Sequence, residues 1–209
     1  MIHYDYYADV PEEALRQFVV AQQLGRLVTA DAGGRPHIGL YPFLFLGDRI
    51  EMHLHRNDEQ LADLAVNWQC AFEVDEVLGT IPSHWVHASN AMFATAYHRV
   101  VTFECEGSVS DDPEVLAAQQ QRLMEFYQPD GGHTRVSTDH AMYRNGLREI
   151  RAVTLAVRAR RVKWKLGQNR TREQRAALIA KLRDRARPTD AAAADALQWA
   201  LDHEASKQA

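Results

Sequence analysis

Along residues 12–25 apolar side chains recur at Leu15, Phe18 and Val19, the spacing of a helix with one buried stripe. Asp9 can cap that helix, Pro11, Glu12 and Glu13 suit its positive end, and Gly25 can stop it. The period then shortens to that of strands. Residues 26–30 form a short apolar run, residues 31–35 (DAGGR) a turn, and residues 37–46 and 49–55 a hairpin around Gly47-Asp48. In the second arm Ile50, Met52 and Leu54 share one face, and Glu51, His53 and His55 the other.

Asn57 or Asp58 can cap a short helix to Val66, and residues 70–74 read as a further strand. Residues 79–90 (GTIPSHWVHASN) read as an irregular, aromatic connection of the kind that borders a site. A long strand over residues 97–109 places Val101, Phe103 and Cys105 on one face. Asp112-Pro113-Glu114 opens a helix to about Tyr127, residues 128–138 form a loop, residues 139–147 suit a helix, and residues 150–166 return to strand. Residues 171–174 (TREQ) fit a capping box ahead of Leu178, Ile179 and Leu182, and Asp190 can cap a last, Ala-rich helix. Meandering strands with helices at their ends predict an α+β, mainly β fold: an antiparallel barrel or sheet with peripheral helices.

The 209 residues are ample for one core with a helical appendage, and 46% hydrophobic with 25% charged residues excludes wholesale disorder. No apolar run approaches the roughly 20 residues of a membrane span. The start (MIHYDYYADVPEE) lacks the basic and apolar regions of a signal peptide, so a cytoplasmic protein is expected. Cys70 and Cys105 are too few for a disulfide framework or a zinc site. Charge changes the picture more. The net −4 conceals a basic stretch, residues 144–187, with 15 Lys or Arg against three acids, and no lysine precedes Lys163. Such a stretch suits phosphate, nucleic acid, or docking against the acidic remainder.

Candidate chemistry follows from these elements. His53 and His55 at i, i+2 can meet a ligand or line a solvated strand face; His84 and His87 form only a loose pair, so no metal centre is expected. Arg56, between a strand and a helix start, can grip a phosphate bidentately or pair with Asp58 or Glu59. In residues 163–170 (KWKLGQNR), Lys163, Lys165 and Gly167 share one face and Trp164 and Leu166 the other, with Gln168, Asn169 and Arg170 adding donors for an anion or ring carbonyls. No mononucleotide, dinucleotide or nucleophile-elbow motif is present.

At these residues the chain resembles the split-barrel flavin-binding family related to pyridoxamine 5′-phosphate oxidase, most of all its PaiB-like FMN-binding negative transcriptional regulator branch. KWKLGQNRTREQRAALIAKL is similar to that branch's K-[FW]-K-L-S-Q-N signature and basic helix, with Gly167 in place of Ser. Leu40-Tyr41-Pro42-Phe43 resembles its L-P-F strand, His53-Leu54-His55-Arg56 its H-L-A-R, and Pro82-Ser83-His84-Trp85 its P-S-W. The middle of the chain also resembles nitroimidazole-resistance (Nim-type) members.

The resemblance implies an antiparallel split β-barrel over residues 1–170, a C-terminal helical extension over residues 171–209 packing on the barrel or partner subunit, and a homodimer with FMN at the subunit interface. By position Arg56 would hold the phosphate, and Leu40, Tyr41 and Pro42 would line the ring through backbone. His53 would face the ring or substrate, as the best candidate for a catalytic residue. Trp85, Lys165, Gln168 and Asn169 would close the pocket. Asp58 and Glu59 depart from the oxidase pattern, because acids there repel a phosphate; vitamin B6 oxidation is not expected. The implied activity is an FMN-dependent oxidoreductase of unspecified substrate. The alternatives are a non-enzymatic regulator contacting DNA through residues 144–187, a haem-binding split barrel, and a vestigial site.

Overall fold

The computed structural model describes residues 4–206. Seven helices, α1 (Asp5–Ala8), α2 (Glu12–Ala21), α3 (Glu59–Val66), α4 (Pro113–Tyr127), α5 (Ala141–Arg148), α6 (Arg172–Arg185) and α7 (Asp190–Ser206), accompany seven strands among these residues. The strands are β1 (Leu24–Ala30), β2 (Pro36–Pro42), β3 (Leu44–Phe45), β4 (Arg49–His55), β5 (Gln69–Ile81), β6 (Thr95–Ser110) and β7 (Ile150–Lys165). They form one sheet in the order β2-β1-β5-β6-β7-β4-β3. The registered pairs β1–β2, β1–β5, β3–β4 and β4–β7 are antiparallel. β2 and β3 are its edges, so the sheet does not close. The α+β, mainly β architecture expected from the pattern is therefore present.

The expected strand over residues 37–46 is broken. Residues 36–42 pair with β1, whereas Leu44 and Phe45 pair with β4. The cause lies far away in sequence: the Phe43 N–H donates to the Tyr127 hydroxyl at 3.0 Å, and that hydroxyl lies 2.8 Å from the Phe43 carbonyl. With both backbone groups engaged by α4, Phe43 leaves the ladder. A second difference concerns residues 79–90: β5 runs on to Ile81, and single 3₁₀ turns, Ser83–Trp85 and Ala91–Phe93, follow.

The chain groups into two compact units. One comprises Glu12–Val74 and Thr102–Arg161, the other Met1–Pro11, Asp75–Val101 and Val162–Ala209. In the first unit Phe43 meets Phe72 edge-on at 5.0 Å, among fully buried Leu27, Ile50, Met52, Val74 and Phe103. Cys105 is buried there as well, its thiol pushed up to about 12 by burial. α4 and α5 lay Leu116, Ala117 and Leu147 against Ala152 of β7.

In the second unit α6 and α7 form a helical hairpin. α6 begins with the expected capping box, Thr171 accepting from Gln174 N–H and Gln174 reaching back. Its Leu178, Ile179 and Leu182 are buried, as are Ala193, Ala194, Leu197 and Leu201 of α7. Asp190 does not act as a free cap: buried at the first turn of α7, it holds Arg185 (2.7 Å) and the Arg187 N–H (2.9 Å).

Candidate functional site

In the first unit, β4 carries the histidine pair. His53 lies opposite Ala152 and His55 opposite Ile150. Cross-strand neighbours share a face, so both histidines lie on the side where α4 and α5 pack. Glu51 follows the same face; it is buried and holds Arg49 (3.1 Å) and Arg122 of α4 (2.9 Å). The sequence pattern marks this face as polar; ion pairing is what allows it to be covered. Burial draws the His53 pKa down and so favours the neutral imidazole, and its Nδ1 has no partner among the described residues. His55 is exposed, with Nδ1 accepting from Asn57 N–H at 3.3 Å.

Arg56 extends from the end of β4. Its Nε lies 3.1 Å from Glu149 Oε2, and its N–H donates to the Glu149 carbonyl at 2.7 Å. The acid partner is thus Glu149, neither Asp58 nor Glu59. Asp58 instead caps α3 by accepting from Gln60 N–H (3.0 Å), and it faces the Tyr41 hydroxyl (2.9 Å). Glu59 sits 3.7 Å from His37 Nε2.

β2 presents the other residues of this group. Tyr41 turns inward to α3, while Leu40 and Pro42, with Ile38, point outward and are exposed. As an edge strand, β2 leaves one side of its backbone outside the ladder. This pairing of free backbone groups and apolar side chains suits the edge and face of a planar ring.

In the second unit, the Trp85 carbonyl accepts from Lys181 Nζ at 3.0 Å, and the Arg185 guanidinium stacks 4.7 Å above the indole. A cavity of about 650 Å³ lies here, lined by Trp85, His84, Ile81, Arg185 and Arg187 among others. Along β7, Trp164 is buried and Lys163 and Lys165 are half-buried, the alternation expected. Burial, with the positive charges of Lys163 and Arg170, holds the Lys165 ammonium below the usual lysine range. Gln168 turns onto its own backbone, accepting from Leu166 N–H and donating to the Trp164 carbonyl, both at 2.7 Å. Asn169 is exposed. Gly167 adopts φ +80°, a left-handed conformation that explains glycine at this turn.

Sequence reasoning missed Tyr97. Its hydroxyl is buried without a partner among the described residues, and burial pushes its pKa up to about 12, opposed by Arg170. Nothing in the sequence marks it, since it occupies an ordinary inward strand position. Of the predicted residues, Leu40, Tyr41, Pro42, His53 and Arg56 lie in the first unit and Trp85, Lys165, Gln168 and Asn169 in the second. Among the described residues no cluster of three or more His, Cys, Asp or Glu could hold a metal ion. No described helix is long and apolar enough to cross a membrane.

The open antiparallel sheet with peripheral helices is a split barrel, shared with several solved structures. A flavocytochrome from Azotobacter vinelandii superposes with TM-score 0.63 at 15% identity, covering 84% of this chain and 78% of that one. An FAD and heme binding protein from Mycobacterium smegmatis gives 0.58 at 21% identity, covering 80% and 78%. A "putative 5-nitroimidazole antibiotic resistance protein" from Bacteroides thetaiotaomicron gives 0.56 at 13% identity, covering 73% and 83%. No curated protein matches the chain in sequence. Residues 1–159 match the family described as "Putative FMN-binding domain", and the chain belongs to that family. Its cofactor is accordingly FMN.

Each unit by itself carries residues that fit part of such a group. A phosphate needs cations that are not locked away, and half-exposed Arg56 has a single exposed acid partner. Positive charge beside the ring would favour the negative charge that the ring gains on reduction, and the Lys165 ammonium lies partly buried beside the positive charges of Lys163 and Arg170. Tyr97 Oη is a donor still to be satisfied.

Proposed function

We propose that this chain is an FMN-dependent oxidoreductase, cytoplasmic and homodimeric, with the flavin at the subunit interface. The observation that carries the reading is the partly buried cation set of Lys163, Lys165 and Arg170 in a member of an FMN-binding family. When bound, FMN supplies the electron-transfer chemistry, which no side chain of this protein can provide alone. The chain's own residues would bind and orient it. Arg56 would grip the phosphate, and the backbone of residues 40–42 would border the ring. Lys165 would offer positive charge to the ring, and Trp85 would exclude water. His53, whose neutral form burial favours, is the candidate for holding a proton.

The regulatory alternative has weaker support. Among the described residues, six of the 15 cations in residues 144–187 already pair with acids: Arg158, Arg160, Arg161, Arg175, Arg183 and Arg185. Charge so engaged is poorly placed to neutralise nucleic-acid phosphates.

The test is titration of the purified full chain with FMN, followed by flavin fluorescence and visible absorbance, then by addition of reduced nicotinamide. Saturable binding at one FMN per chain, with bleaching on addition of donor, is expected. Absence of saturable binding overturns the flavin reading; binding without reduction by any donor overturns the enzymatic one. Sedimentation that shows a monomer at micromolar concentration overturns the interfacial site.

A further inference from the structure

In the first unit, eight of the 13 arginines are matched to acids. Arg16, Arg26, Arg49, Arg56, Arg122, Arg158, Arg160 and Arg161 all lie within ion-pair distance of a carboxylate. Among the described residues Arg35, Arg135, Arg144, Arg148 and Arg151 make no ion pair, and the last three line one cavity. Arg144 and Arg148, one helical turn apart on α5, and Arg151 at the start of β7 line a space of about 370 Å³. Among the described residues none of the three makes an ion pair, and Arg151 bonds only to the carbonyls of Arg148 (3.2 Å) and Ile150 (2.7 Å).

Apolar lining comes from Pro113 and Leu116 of α4 and from Leu147 of α5. Both leucines are anchored in the buried cluster against Ala152, so the wall is rigid. Thr138 and one acid, Asp111, complete the lining and leave three positive charges against one negative. A net lining charge of +2 matches a dianion. Guanidinium pairs hold phosphate oxygens in fork geometry, and 370 Å³ is the size of a small-molecule site. Spare arginines beside a fixed apolar wall are the arrangement for an amphiphilic anion.

We propose that this cavity binds a small organic phosphate monoester, its phosphate on Arg144, Arg148 and Arg151 and its apolar part against Pro113, Leu116 and Leu147. Neither Arg56 nor any other residue assigned to the flavin lines this cavity. The site therefore gives the protein a second ligand, whether substrate or effector.

The test is calorimetric titration of the full chain, presaturated with FMN, with phenyl phosphate at low ionic strength. Saturable binding is expected, weakened about tenfold or more by Arg144→Gln and again by Arg148→Gln, the usual loss for a charge-assisted contact. Both positions are exposed, so the variants should fold. Arg35→Gln, which removes another arginine without an ion-pair partner, should leave binding unchanged. Inorganic phosphate should bind more weakly than phenyl phosphate, and benzyl alcohol should not bind.

The proposal is overturned if phenyl phosphate gives no saturable signal, or if Arg35→Gln weakens it as much as the α5 variants do. It is also overturned if phenyl phosphate binds only without FMN and the α5 variants lose FMN as well, since the arginines would then be the flavin's phosphate ligands. FMN titration of the same variants separates these outcomes. A chain that fails to bind FMN but binds phenyl phosphate through α5 would sink the flavin reading alone.

Discussion

The Tyr41 hydroxyl lies 2.7 Å from Gln60 Oε1, joining the edge strand β2 to the first turn of α3. The same hydroxyl lies 2.9 Å from Asp58 Oδ2, so one proton is shared between two acceptors, and removal from water raises the Tyr41 pKa. Gln60 is fixed in turn, its amide donating to the Leu27 carbonyl and Thr29 Oγ1 at 3.0 Å each and to the His37 carbonyl at 3.3 Å. A strand with an open edge and an outward apolar face is thereby held in place by a buried amide.

Tyr41→Phe should accordingly destabilise the protein by about 1–2 kcal/mol, because it leaves the buried Gln60 oxygen without its donor. Gln60→Leu should cost more, about 2–3 kcal/mol, by stripping several partners at once. Urea unfolding would check both. Equal and negligible effects would show that α3 does not clamp β2.

His37 gives a pH signature. Its Nδ1 lies 2.7 Å from Asp63 Oδ2, which also accepts from Thr29 Oγ1 at 2.6 Å. The bond to Asp63 raises the His37 pKa above 6.5; the charges of Asp63 and Glu59 add to the rise, and partial burial and Arg35 oppose it. The folded state therefore favours protonated His37. The resulting stabilisation is complete below 6.5 and is lost as pH climbs through the elevated folded value. Between wild type and His37→Gln, the difference in urea midpoint should shrink as pH rises across that window. Parallel pH profiles for the two proteins would refute the coupling.

In the helical hairpin, Arg175 is buried to 2% side-chain exposure and forms a bidentate pair with Glu204, one contact at 2.9 Å. Removal of the acid strands a buried cation, so Glu204→Gln should cost about 2 kcal/mol, less than a fully buried pair because Glu204 is one-third exposed. Arg183–Asp195 spans the same two helices with both side chains more than half exposed. Asp195→Asn should cost under about 0.5 kcal/mol. Thermal unfolding of the two variants should separate them clearly; similar shifts would mean that burial does not set the value of these pairs.

Local chemistry made much of this fold legible in advance. The Thr171 capping box, the Asp58 and Asp112 caps and the alternation of Trp164 and Leu166 with Lys163 and Lys165 depend on neighbours a few residues away. What stayed hidden depends on distant partners. The break at Phe43 needs Tyr127, 84 positions on, and burial of Glu51 needs Arg122, 71 positions on. The site divides in the same way. Arg56 was visible from its place between a strand and a helix, but Glu149 as its partner follows only from the pairing of β4 with β7. Tyr97 carried no signal because an inward strand tyrosine looks like core until its hydroxyl proves unpartnered.

That Arg56–Glu149 pair, 3.1 Å apart with both side chains about half exposed, makes a sharp prediction for cofactor binding. If Arg56 grips the FMN phosphate, Glu149 competes with the phosphate for the same guanidinium. Arg56→Gln should then weaken FMN binding about tenfold or more, the loss of one charge-assisted contact. Glu149→Gln should do the reverse and tighten binding, because it frees the guanidinium and removes a negative charge beside an incoming dianion. Raised salt should narrow the gap between wild type and Glu149→Gln, since the pair is exposed enough to be screened. Fluorescence titration of FMN against the three proteins reads all of this. Unchanged affinity in Arg56→Gln would place the phosphate elsewhere, and weaker affinity in Glu149→Gln would show that the acid positions Arg56 rather than competing for it.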